Sequence, residues 1–263
     1  MAEAGALFEG DSAYAHYRIA DVSYMGRPAR LLYGGTHEAA QSGLALDDRP
    51  ELLFDYNQRL LELFRGLKPR RVLLIGGGAC TLPRALLGLV PNLRLDIVEI
   101  DPLLVDLAGR YFGFVAGKHT RISVAEGRQY LAGTEERYDL LVVDAFLGDT
   151  MPPTLRTVEA AQVYARHLRR GGVLALNVIA AYEGRLAEAL RRQIASLRTV
   201  CTDVQIFPAS PALSLWLPQN FIVTATCKPR DVAQYMRYGP LSLRDWPAGT
   251  PLYDADTRPP TAA

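Results

Sequence analysis

Residues 71–90 read RVLLIGGGACTLPRALLGLV, and the fold class follows from this stretch. Arg71–Ile75 is a short run, apolar after its first residue, that breaks on Gly76-Gly77-Gly78. Leu82–Val90 then returns to helical spacing. A continuous apolar strand with no polar alternation suits a sheet covered on both faces. The glycines allow a tight strand-to-helix turn and close approach of a ligand to the backbone. Taken alone, such a turn serves equally well for packing.

Downstream the alternation continues. Strands are expected at Leu95–Ile100, Arg121–Ala125, Asp139–Asp144, Val173–Val178, Val204–Phe207 and Phe221–Thr226. Helices are expected at Pro102–Phe112, Thr157–Leu168 and Gly184–Val200, with Gly171-Gly172 as the stop signal of the second. Together with Arg71–Ile75 this predicts an α/β fold: a Rossmann-like, seven-stranded, mostly parallel sheet with helices on both faces.

Upstream, residues 12–46 read as short strands and turns, forming a small N-terminal β-domain. Tyr14–Val22 alternates, Met25-Gly26-Arg27-Pro28 signals a turn, and Ala29–Tyr33 returns. A helix is expected over 50–66, opening at Pro50, with Leu52, Leu53, Tyr56, Leu60, Leu63 and Phe64 at helical spacing. The expected division is therefore 1–49 for the β segment, 50–228 for the nucleoside-binding domain, and 229–263 for a proline-rich surface tail.

Charge narrows the function classes. Lys+Arg is 29 and Asp+Glu is 28, a net charge of +1. That balance excludes a nucleic-acid or anionic-membrane binder working through global charge. The three cysteines show no C-x-x-C spacing and the four histidines no ligand spacing, so neither a disulfide framework nor a metal site is expected. No apolar stretch approaches the ~20 residues of a membrane span, and the acidic opening MAEAGALFEGDSAYAH lacks a signal-peptide core. A reducing cytoplasm fits these features.

In open sheets of this kind, ligands bind outside the carboxyl ends of the strands. The residues there are Gly76-Gly77-Gly78, Glu99, Glu126-Gly127, Asp144 with Asp149 beyond it, and Asn177. Glu99 stands at the next strand end after the glycines, where an acid accepts from both ribose hydroxyls. Glu126 either faces the exocyclic amine of adenine or supplies the N-terminal charge of the following helix. Asp149 reads equally as a helix-capping acid.

These runs resemble a known family. VLLIGGGACTLPRAL, DIVEIDP, ISVAEGRQYL, YDLLVVDAFLGDTMPP and LRRGGVLALNV are similar to the spermidine synthase (polyamine aminopropyltransferase) family, on the S-adenosylmethionine-dependent methyltransferase fold. Tyr14-Ala15-His16-Tyr17, Gly35-Thr36-His37, Gln41-Ser42 and Tyr56 extend the likeness upstream. The resemblance implies decarboxylated S-adenosylmethionine as co-substrate, a small-molecule amine as acceptor, and a fold that allows a homodimer. It implies Asp144 as the acid that deprotonates and orients the amine, with Asp149 anchoring a cationic substrate. Glu99 would hold the ribose and Glu126-Gly127 the adenine. Gly76 and Gly78 would line the donor, while His37, Gln41 and Tyr56 would line the donor and amine pocket.

Two departures keep other readings open. The family typically reads G-G-G-D-G-G after the first strand, whereas this chain has Ala79 in place of the aspartate. Intact S-adenosylmethionine is then an alternative donor. The fourth loop reads Asp144-Ala145-Phe146-Leu147-Gly148-Asp149, which displaces the second acid and adds apolar side chains. The alternatives are a small-molecule methyltransferase and a nucleoside-binding protein with lapsed catalysis.

Overall fold

The computed structural model describes residues 5–35, 39–48, 52–147, 150–210, 214–244 and 246–257. The chain opens with β1 (Phe8–Asp11), β2 (His16–Tyr24), β3 (Arg27–Gly34) and β4 (Ala39–Ala45), an antiparallel sheet in that order. Then follow α1 (Asp55–Leu67), β5 (Arg71–Ile75), α2 (Thr81–Leu89), β6 (Arg94–Glu99), α3 (Pro102–Phe112), β7 (Thr120–Val124), α4 (Gly127–Ala132) and β8 (Tyr138–Val143). The last elements are α5 (Val158–His167), β9 (Leu168–Ala180), α6 (Glu188–Arg198), β10 (Asp203–Pro208) and β11 (Gln219–Thr226).

The second sheet has seven strands in the order β10-β11-β9-β8-β5-β6-β7. Its β7-to-β9 half is parallel; β11 runs antiparallel to both β9 and β10. β5 is buried along its whole length. Leu73 and Ile75 face the core shared with α4, α5 and α6, while Val72 and Leu74 face that of α1 and α2. Cover on both faces explains why the strand shows no polar alternation. Chain order reverses at β5, which lies between β6 and β8, and this opens a crevice at the carboxyl ends.

The N-terminal sheet closes that crevice from one side. Tyr17, Ile19 and Leu32 pack on Leu104, Leu107 and Phe112 of α3 and on Ala79 of the glycine loop. Its β2–β3 turn is Met25-Gly26 alone, both at positive φ (49° and 75°), as a twisted two-residue hairpin demands.

Several expectations are corrected. Helix α1 starts at Asp55, after Leu52 and Leu53; Pro50 lies outside the described residues. Gly171-Gly172 do not stop a helix: α5 has already ended at His167, and both glycines lie inside β9. There the β8–β9 register shifts, and a Cβ on Gly172 would come 2.8 Å from the Tyr138 carbonyl oxygen. Trp216 is 61% exposed. Tyr182 is buried and stacked on Trp246.

The segment after β11 holds no strand among its described residues, yet it is strapped to the body. Val232, Met236 and Leu252 are buried, Leu252 N donates to Ser196 Oγ, and Leu241 N donates to the Ile206 carbonyl.

Candidate active site

The glycine loop is shaped by contacts that leave no room for side chains. Gly76 has φ +92°, and a Cβ there would lie 2.1 Å from the Asp144 carbonyl oxygen. Only glycine lets the ends of β5 and β8 approach so closely. Gly78 has φ +50°, and its Cβ position lies 2.8 Å from Ser42 Oγ on β4. Ser42 also accepts from Ala79 N at 3.2 Å, so the N-terminal sheet grips this loop directly.

Glu99, at the end of β6, is buried and ties the loop down. Its Oε2 accepts from Gly77 N at 2.8 Å and Gly78 N at 3.0 Å, and its Oε1 accepts from Asp101 N at 3.1 Å. With one backbone partner, Oε1 keeps capacity for a further donor. The next residue but one, Asp101, caps α3 through Leu103 N and also accepts from Ser12 Oγ of the N-terminal segment.

Asp144 stands one residue past β8, partly buried in the cleft wall. Asn177 Nδ2 on β9 donates to Asp144 Oδ1 at 2.8 Å, and Asn220 Nδ2 on β11 donates to Asn177 Oδ1 at 2.9 Å. Burial pushes the Asp144 carboxyl up to about 6; the Asn177 hydrogen bond opposes this and the negative charge of Glu99 adds to it. Across the cleft, the Tyr56 hydroxyl is held well above its ordinary pKa by burial and by the charge of Asp144. It is therefore a hydrogen-bond donor at neutral pH.

At the third parallel strand end, Glu126 caps α4 by accepting from Gln129 N at 2.9 Å, and it also lines the cleft. The helix-cap role is therefore present in the structure, and the same side chain is open to the cleft. Gly127 is fixed by packing, since its Cβ would lie 2.5 Å from Ile75 Cγ2.

The cleft has a volume of about 690 Å³. It brings together the expected Gln41, Tyr56, Gly76, Gly78, Glu99, Glu126, Gly127 and Asp144. His37 and Asp149 lie outside the described residues. Five carboxylates line the cleft (Asp55, Glu99, Asp101, Glu126 and Asp144), and among the described residues no lysine, arginine or histidine does. A chain almost neutral in total therefore carries an acidic pocket.

Four residues of the cleft, Ser42, Asp101, Asn177 and Asn220, were given no role from sequence. Asn177 carried a signal as the residue ending a parallel strand. Asn220 carried none, because β11 is antiparallel and its start, not its end, reaches the cleft. Cys80 is buried beside the loop with its thiol pushed up to about 12 by burial and Glu99, which leaves it unreactive.

The family model for the spermine/spermidine synthase domain matches residues 56–212, which contain the glycine loop, Glu99, Glu126, Asp144 and Asn177. The chain belongs to the spermine/spermidine synthase family. Similar to this family member is the polyamine aminopropyltransferase of Vibrio vulnificus, 40% identical over 113 residues, covering 42% of this chain and 38% of that protein. A probable polyamine aminopropyl transferase of Bifidobacterium longum is 28% identical over 208 residues, covering 77% of this chain and 45% of that protein. The chain thus spans less than half the length of these curated relatives. In fold it is similar to a probable spermidine synthase from Corynebacterium glutamicum, with a TM-score of 0.74, 20% identity and coverage of 91% of this chain and 88% of that one. No helix among the described residues is long and apolar enough to cross a membrane. No cluster of three His, Cys, Asp or Glu side chains among them could hold a metal ion.

Proposed function

We propose that this spermine/spermidine synthase family member transfers an aminopropyl group from decarboxylated S-adenosylmethionine to a small amine. The observation that carries the reading is Asp144, held by Asn177 inside a cleft lined by five carboxylates and, among the described residues, by no cationic side chain. Both co-substrates are cations, one a sulfonium with an amine and the other an ammonium, and low-dielectric acidic walls favour them. A donor carboxylate would meet like charge with no arginine or lysine among the described residues to pair it, which favours the decarboxylated donor over the intact one.

The chemistry balances simply. The acceptor arrives as an ammonium and must lose a proton before its nitrogen lone pair can attack. Asp144, with its carboxyl at about 6, is mostly ionised at pH 7 and basic enough to take that proton. The nitrogen then forms a bond to the propyl carbon beside sulfur. The carbon–sulfur bond breaks, its electron pair stays on sulfur, and neutral methylthioadenosine leaves. In this reading Glu99 Oε1 accepts from the ribose, Glu126 faces adenine, the glycine-loop backbone lies along the nucleoside, and Gln41 and Tyr56 border the transferred group. Positioning of the two reactants supplies much of the acceleration.

The decisive experiment supplies decarboxylated donor and an amine panel and follows methylthioadenosine release, with intact S-adenosylmethionine in parallel. Asp144-dependent release from the decarboxylated donor supports the reading. Methyl transfer from the intact donor in its place would favour the second reading, amine methylation, which rests on Ala79 leaving the loop without an acid.

Dimerisation and a cytoplasmic location belong to the same proposal. Light scattering giving a mass near twice 28.9 kDa would support the first. The three cysteines, all free, accord with the second.

A further inference from the structure

We infer, resting on the reading of Glu126 as an acid that faces the nucleoside, that Asp254 is a positioning residue for the donor: by holding the Arg128 guanidinium it leaves Glu126 free for the ligand. Asp254 lies beyond residues 56–212, which the family model matches, and in the stretch expected to be a surface tail.

The anchor is a two-point ion pair. Arg128 Nη1 donates to Asp254 Oδ1 at 2.7 Å and Nη2 donates to Oδ2 at 2.9 Å, joining residues 126 apart in sequence. Such pairing fixes the plane of a guanidinium as well as its place. The same Nη1 donates to the Thr154 carbonyl at 3.1 Å, a second anchor. Asp254 is held in turn. Thr157 Oγ1 donates to its Oδ1 at 2.7 Å, and Asp254 N donates to Glu159 Oε2 at 3.0 Å. Two residues earlier, the Leu252 carbonyl accepts from Val158 N in the first turn of α5.

What this restraint protects is the acid next to Arg128. Glu126 and Gly127 line the cleft, and Arg128 follows them in the first turn of α4. Its charge is within electrostatic reach of Glu126. Both members of the Arg128–Asp254 pair are part-buried, so removing one leaves a cation in need of a new partner. Arginine has a long, flexible stem, and Glu126 is the carboxylate two residues away. Paired with Glu126, Arg128 would take the place of a ligand amine. It would also set a positive charge at a cleft that has none among the described residues.

The test uses the full chain, calorimetry with methylthioadenosine, and kinetics with decarboxylated donor. Asp254→Asn should weaken nucleoside binding and raise the donor KM about tenfold, the weight of one charge-assisted hydrogen bond. At saturating donor kcat should stay within about twofold. Asp254→Glu should recover most of the loss. Arg128→Gln combined with Asp254→Asn removes the stray cation, so it should bind the nucleoside within about threefold of wild type. That double variant also carries the test where the single one does not fold. Thr157→Val removes one Asp254 contact and the cap of α5, so its melting temperature should fall with the donor KM unchanged. An unchanged donor KM in Asp254→Asn, a loss confined to kcat, or a double variant as weak as the single one would overturn the inference. So would a donor KM raised equally by Thr157→Val, which would mean that only the integrity of the strap matters. Failure of the wild type to bind methylthioadenosine would overturn the nucleoside reading and this inference with it. The expected binding pattern without turnover from any donor would leave the inference standing and sink the aminopropyl-transfer reading.

Discussion

Asn177 Nδ2 donates a 2.8 Å hydrogen bond to Asp144 Oδ1, linking the end of β8 to β9. Asn177 is itself oriented by Asn220, so three neighbouring strands fix one carboxylate. Removing the donor by Asn177→Ala takes away a hydrogen bond to the charged form, worth about 1.5–3 kcal/mol. The Asp144 carboxyl should then rise by about one to two pH units. The measurement is the pH profile of kcat/KM, whose acid limb should move upward by that amount. At pH 7 the rate should fall about two- to tenfold, following the ionised fraction. An acid limb that stays in place would show that Asn177 only supports the fold.

In the wild-type protein that limb should lie near pH 6, where burial has pushed the Asp144 carboxyl. Proton acceptance needs the ionised form, so kcat/KM should fall about tenfold per pH unit below this point. Rate measurements between pH 5 and 8.5 with the amine in excess will check it. A profile flat down to pH 5 would remove Asp144 from the proton-transfer role.

The same shift has a consequence for stability. The folded-state pKa of Asp144, about 6, lies above its ordinary value of 3.8. Such a group stabilises the fold below the ordinary value, and that contribution is lost as pH rises through about 6. Above pH 7 the ionised side chain thus costs up to about 3 kcal/mol, less whatever cleft water screens. Asp144→Asn should accordingly be more stable than wild type at pH 8, with the gap narrowing toward pH 4.5, while turnover is lost. Urea titrations of both proteins at the two pH values give the comparison. Equal midpoints at pH 8 would contradict it.

The middle of the parallel sheet was legible because strands such as β5 are covered on both faces and read as unbroken apolar runs. Arg71–Ile75 and Pro102–Phe112 match their expected limits. The β6–β7 side of the cleft was legible for a related reason: parallel strands all end at one edge, so their terminal residues can be read in turn. What failed depended on pairing across the chain. The Gly171-Gly172 pair has the chemistry of a helix stop, but its role as a bulge against Tyr138 is set by β8. Asn220 enters the cleft through an antiparallel strand, where the strand-end rule does not apply. Ser42 gains its role from tertiary docking of β4 on the glycine loop, which no local pattern encodes.

Glu99 offers the sharpest separation of loop shape from ligand contact. Its Oε2 receives the Gly77 and Gly78 amides, and its Oε1 receives the Asp101 amide. Glu99→Gln keeps one oxygen for the glycine amides but turns an NH2 group toward Asp101 N or toward the ribose position, where an acceptor is needed. It also replaces charge-assisted hydrogen bonds by neutral ones of about half the strength. The expected outcome is methylthioadenosine affinity lowered about ten- to a hundredfold. The amine-dependent acid limb near pH 6 should move slightly downward, because Glu99 no longer adds negative charge beside Asp144. Calorimetry and the pH profile read the two effects separately. Unchanged nucleoside affinity would mean that Glu99 only shapes the loop and that the ribose is held elsewhere.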